Sequence, residues 1–99
     1  MAKHRATEGK TLKLGKDLRI ATAGPTFAAL KKAASGGEAR VTLDAAQVEK
    51  IDAAGLQALL AGRAVLLQAG KAVTWSGASP QLAAAATLLG LGESLELPK

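Results

Sequence analysis

Val41-Thr42-Leu43-Asp44, then Val48, then Ile51-Asp52-Ala53-Ala54-Gly55-Leu56 is the stretch that decides the fold of this 99-residue chain. Val41 and Leu43 alternate with Thr42 and Asp44, the two-residue period of a half-buried strand, which predicts a strand over 40–44. Past Ile51 the period lengthens. Leu56, Leu59, Leu60, Leu66 and Leu67 fall in one stripe at about 100° per residue, and Gly70 stands just beyond, so a helix is predicted over 52–68. Asp52 is placed as its N-cap, accepting backbone N–H groups of the first turn. Val48 and Ile51 are the buried anchors of the connection between the two elements.

Working outward, Leu12, Leu14, Leu18 and Ile20 are spaced by two around Gly15-Lys16-Asp17, the pattern of two short strands joined by a tight turn. Thr22 is placed as the cap of a helix running to about Ser35, with Pro25 in its first turn and Gly36-Gly37 past its end. Its inward face is Ala23, Phe27, Leu30 and Ala34. Downstream, 72–76 reads as a strand, and Ser79-Pro80 supply the cap and first position of a third helix. Leu82, Ala85, Ala86 and Leu89 form that helix's inward face and Gly90 stops it; Leu95 and Leu97 predict a last short strand or an extended tail. Trp75 is either core or a lone exposed aromatic, core packing being the simpler reading. The alternation predicts an α/β domain over 11–99, a single four- to five-stranded mixed sheet covered by about three helices. Residues 1–10, without hydrophobic period, are expected to form a flexible basic arm.

A chain of this length with 48% hydrophobic and 21% charged residues is one small domain. Its pI near 9.9 and net charge of +5 invite a nucleic-acid partner. The distribution argues otherwise. The first 19 residues hold six basic side chains against two acids, a net +4, whereas from Ile20 onward seven face six, a net +1. The basic arm has no interleaved aromatic residue to stack on bases and no helix-turn-helix pattern follows, so no nucleic acid is expected as a partner. With no Cys and one His, His4, thiolate chemistry, Cys zinc sites and multi-His sites are excluded, and neither a metal nor a cofactor is expected. Met1 to Lys10 lacks the apolar run of a secretory signal, and the uncharged stretch 72–92 is broken by Ser76-Gly77-Ala78-Ser79-Pro80, which reads as a turn. The expectation is a cytoplasmic, bacterial-type domain without membrane insertion.

The strand ending in Asp44, the short connection with Val48 and the Asp52-Ala53-Ala54-Gly55-Leu56 turn opening a helix resemble the central signature of the STAS domain, the family named for sulfate transporters and anti-sigma-factor antagonists. The likeness continues through Gly62-Arg63, Gly70-Lys71, Gly77 with Ser79-Pro80, and Leu88-Leu89-Gly90-Leu91, covering about residues 11–97. It implies a non-enzymatic module that binds another protein: an anti-sigma factor or its kinase, a sensory complex, or the ATPase of a lipid transporter. In many members the Ser or Thr directly after the turn's Asp is phosphorylated. Ala53 stands there, with Ala54 next, so neither can accept a phosphate and the charge that would arrive at the helix N-terminus is denied. Constitutive binding and loss of the switch are the two readings this leaves. The partner-binding surface is expected at Asp52, Ala53, Ala54, Gly55 and Leu56, with Arg63 added.

The bland reading of each residue stands beside the sharp one. Asp52 is a cap, a recognition residue, or both. Asp44 and Asp52 could pair as an acid/base or Mg²⁺ site, but two turn-forming aspartates satisfying backbone donors is the preferred reading. Arg63 falls inside the apolar stripe, so it must snorkel, pair with an acid or meet a partner. A small-ligand module at the strand ends is the rival function. Against it, no Gly-rich phosphate loop lies between a strand and a helix; Gly90-Leu91-Gly92 follows a helix.

Overall fold

In this computed structural model, which describes residues 9–98, the chain runs β1 (Gly9–Lys13), β2 (Asp17–Leu18), α1 (Ile20–Ala34), β3 (Arg40–Ala45), β4 (Lys50–Ile51), α2 (Ala53–Gln68), β5 (Ala72–Ala78), α3 (Pro80–Leu88) and α4 (Gly92–Leu95). Residues 1–8, most of the expected arm, lie outside the described residues, while Gly9 and Lys10 open β1.

The strands form two small sheets rather than one. β3 lies between β1 and β5 in the first, β2 pairs with β4 in the second, and all three pairings are parallel. The hairpin expected around Gly15-Lys16-Asp17 is therefore absent: β1 and β2 each choose a partner distant in sequence. The mixed sheet goes with it, since that hairpin was its antiparallel element. The two-residue pattern of Leu12, Leu14 and Leu18 is real, but it reports burial and carries no information on which strand is alongside.

Val41, Leu43 and Ala45 of the central strand are fully buried, while Thr42 and Thr74 on the opposite face share a hydroxyl hydrogen bond of 3.1 Å near solvent. Onto the apolar face pack Leu30 and Ala33 of α1 and Leu56, Leu59 and Leu66 of α2, joined by Leu82, Ala86, Val48 and Leu95. The two long helices approach closely because of Gly62, where a Cβ would run into the Leu30 side chain.

Three helix boundaries differ from the sequence reading. α1 starts at Ile20, so Thr22 is not its cap and Pro25 lies in the second turn. α3 ends at Leu88, which takes Leu89 out of the helical projection; Leu91 folds back instead, its N–H donating to Ala86 O at 2.8 Å. Leu89 is exposed, as is Leu67 at the edge of the α2 stripe. Leu95, expected in a strand or tail, is fully buried in the single helical turn α4, and half-buried Trp75 fixes it by donating from Nε1 to Leu95 O at 2.9 Å. Ser79 caps α3 as read, accepting the Leu82 N–H at 3.1 Å. Among the described residues no helix is long and apolar enough to cross a membrane.

Candidate functional site: the Asp52 turn

β3 and β5 run parallel, so the chain leaving β3 must cross back over the sheet through α2. The Asp52 turn is where that crossover begins. Its entry is fixed by the small second sheet, in which Leu18 pairs with Ile51 and Asp17 with Lys50, and by Asp52 N–H donating to Leu18 O at 3.4 Å.

Asp52 has an extended backbone (φ −133°, ψ −179°) and caps α2, its Oδ1 accepting the Gly55 N–H at 2.9 Å. The second oxygen does something the sequence did not announce. Oδ2 accepts the N–H of Ile20, first residue of α1, also at 2.9 Å. One carboxylate thus holds the N-termini of both long helices, at the ends where backbone donors are unpaired and the helix dipoles favour a negative charge. The Gly55 amide first, then the Ile20 amide, hold the Asp52 carboxyl below the ordinary carboxylate range, with Ala54 N–H and the Arg19 charge adding to them.

Arg19, the residue before α1, supplies no side-chain cap. Its guanidinium instead forks onto Asp17, with Nε to Oδ1 at 2.9 Å and NH2 to Oδ2 at 2.8 Å. That hydrogen-bonded pair lowers the Asp17 pKa and raises that of Arg19. Thr22 Oγ1 lies 2.8 Å from Asp17 O and 3.0 Å from Arg19 O, tying the helix start to β2.

The proposed contact residues divide into two groups. Ala53 is exposed, and Asp52 and Ala54 are half-buried, so these three reach the surface. Gly55 and Leu56 are buried beneath them: a Cβ on Gly55 would collide with the Leu18 carbonyl, and Leu56 is packed in the core. Arg63 is elsewhere. Only 6% exposed, it donates from NH1 to Ser94 O at 3.0 Å and from NH2 to Glu96 Oε1 at 2.5 Å, so it pairs with an acid of its own chain and staples α2 to the last helical turn. Its Nε makes no hydrogen bond among the described residues. The sequence reading missed Ile20, which is 74% exposed on the surface of the turn that Asp52 caps. It had been counted as an inward residue of a strand.

No acid/base pair is assembled from Asp44 and Asp52. Asp44 Oδ1 accepts the Ala46 N–H at 3.1 Å, closing its own turn, and both Asp52 oxygens are taken by helix donors. Among the described residues no group of three or more His, Cys, Asp or Glu could hold a metal ion.

Two small parallel sheets packed with a helix pair, whose N-termini are joined by one carboxylate, define a small α/β domain. The chain belongs to the STAS domain family: the family model described as "Mlab, STAS domain" matches residues 1–98. Among solved structures the fold is similar to a sulfate transporter family protein from Wolinella succinogenes, at TM-score 0.73 and 22% identity over 88% of this chain and 70% of that one. It is also similar to the anti-sigma factor antagonist SpoIIAA in its unphosphorylated form, at TM-score 0.69 and 17% identity over 88% of this chain and 76% of that one. A comparison with curated protein sequences gave no match. STAS domains are commonly regulatory protein-interaction modules.

Proposed function

We propose that this chain is a non-enzymatic interaction module of a bacterial regulatory or transport complex, cytoplasmic in location, and that it binds its protein partner through the Asp52 turn. The contact surface is Asp52, Ala53 and Ala54 with Ile20 beside them, while Gly55 and Leu56 hold the turn from below. The observation that carries this reading is the Asp52 carboxylate joining two helix N-termini and so setting the exposed apolar side chains of Ala53 and Ile20 side by side. A turn whose backbone is already fixed by these hydrogen bonds costs little conformational entropy to dock. Because Ala53 has no hydroxyl, phosphorylation at this position does not gate the contact. The partner classes are those the family suggests: an anti-sigma factor or its kinase, a sensory complex, or a transporter ATPase.

Ala53→Glu tests the surface. Residue 53 is the exposed first residue of α2, where a carboxylate is favourable to the helix, so the variant is expected to fold with unchanged circular dichroism and Tm. Tagged wild-type and variant chains are used to isolate partners from the native cell. Loss of the same specific protein from Ala53→Glu and from Ile20→Lys is the expected result; its undiminished recovery with both variants would reject the surface.

A further inference from the structure

Segment 91–98, which contains α4, is held by side chains that reach to it from the body of the domain. Arg63 of α2 donates to Ser94 O and to Glu96 Oε1, and Trp75 of β5 donates from Nε1 to Leu95 O. Leu95 is the one fully buried side chain of the segment, with Leu91 and Leu97 half-buried beside it, while Glu93, Ser94, Glu96 and Pro98 are exposed. The four-residue α4 has no side-chain N-cap, and a helix of that length is not stable by itself, so it persists only while docked.

The docking is incomplete and strained. Between the segment and α3 runs a cleft of about 500 Å³, with Ala83 and Thr87 on the helix side and Gly92, Glu93 and Leu97 on the other. Glu96 takes a left-handed backbone (φ 56°, ψ 44°), which its side chain disfavours; no other described residue except glycine has a positive φ. Arg63 is only 6% exposed, yet its acid partner Glu96 stands largely in water and its Nε has no acceptor among the described residues, so the burial of this charge is poorly compensated. Ahead of the segment, Leu88, Leu89 and Gly90 are all exposed and Gly90 has φ 71°, so little side-chain packing fixes the joint.

We propose that residues 91–98 form a strap that opens as a unit about Gly90 while the sheets and the two long helices stay folded. A segment held by one fully buried side chain and a few hydrogen bonds opens at a smaller free energy than the core beneath it. Opening bares the apolar socket of Leu95, with the Trp75 indole donor and the Arg63 guanidinium at its mouth, free to meet a carbonyl and a carboxylate from outside. None of these residues belongs to the Asp52 turn.

The test is native-state hydrogen exchange on the full ¹⁵N-labelled chain in low, non-denaturing urea. The Leu95 and Glu96 amides, which donate to Leu91 O and Gly92 O, and the Trp75 indole N–H are expected to share one opening constant. That constant is about a hundredfold or more larger than that of the β3 amides and nearly independent of urea, since little surface is exposed. Val41→Ala, which opens a cavity under the central strand, speeds exchange of the β3 amides about tenfold or more. It leaves the strap hydrogens unchanged, because the core is intact whether the strap is open or closed. Strap hydrogens that exchange no faster than the β3 amides, or that accelerate with them in Val41→Ala, would overturn the proposal, since the segment then opens only with the whole domain. So would an indole N–H that opens separately from the two amides.

Discussion

Gly55 has no room for a side chain, because the position of a Cβ is already held by the Leu18 carbonyl. Main chain cannot rotate aside, so Gly55→Ala is expected to cost about 3 kcal/mol, the upper end of overpacking. Gly62→Ala meets Leu30, whose Cδ1 can rotate away but whose Cβ, at 2.7 Å, moves only with the α1 backbone, so the two helices must separate; regaining up to about 1 kcal/mol of helix propensity offsets part of this, and a net loss is expected in urea denaturation. Asp52 offers a different readout. Its folded pKa lies below the unfolded value of about 3.9, so its contribution is fully present above that pH and is lost as pH falls through the folded value. Urea midpoints measured from pH 7 to pH 2.5 should therefore drop on the acid side, and Asp52→Asn should flatten that drop. A variant whose acid limb matches the wild type would contradict the bridge between the two helix N-termini.

At the scale of elements, what was legible in the sequence is what depends on near neighbours. The capping of α2 by Asp52 and of α3 by Ser79, the Gly90 stop (φ 71°) and the burial of Arg63 within its stripe all follow from residues a few positions apart. What was illegible depends on partners far along the chain. α1 begins two residues before Thr22 because its first amide is capped by Asp52, 32 positions away, and no local pattern signals that. β1 and β2 show the right period but pair with β3 and β4. The exposed Leu89 was read inward because a periodic stripe cannot say which of its residues the core reaches. Arg63 shows the same limit from the other side: its position was readable, but its acceptors on Ser94 and Glu96 were not. Its charge is buried with one unpartnered N–H, so Arg63→Met, which keeps the stem's volume, should stay within about 1 kcal/mol of wild type. Arg63→Ala should lose about 2–3 kcal/mol of packing.

For the whole molecule, net charge is the property that misleads most readily. The excess is concentrated before Ile20, while the Asp52 turn sets the apolar Ala53, Ala54 and Ile20 beside the charged Asp52 and Arg19, and the end of α3 exposes Leu88 and Leu89. The sheet belongs to the same account: with β1, β3 and β5 paired parallel, the chain crosses back between β1 and β3 through α1 and between β3 and β5 through α2, and the second crossover brings the N-terminus of α2 beside that of α1. The candidate surface is a consequence of that topology. Because the chain contains no Cys, Ala53→Cys introduces a unique thiol at its centre. The measurement is the rate of maleimide labelling of that thiol, alone and with the partner protein isolated from the native cell. Labelling slowed severalfold in the complex is the predicted result. An unchanged rate at position 53 in a fully formed complex would contradict the account.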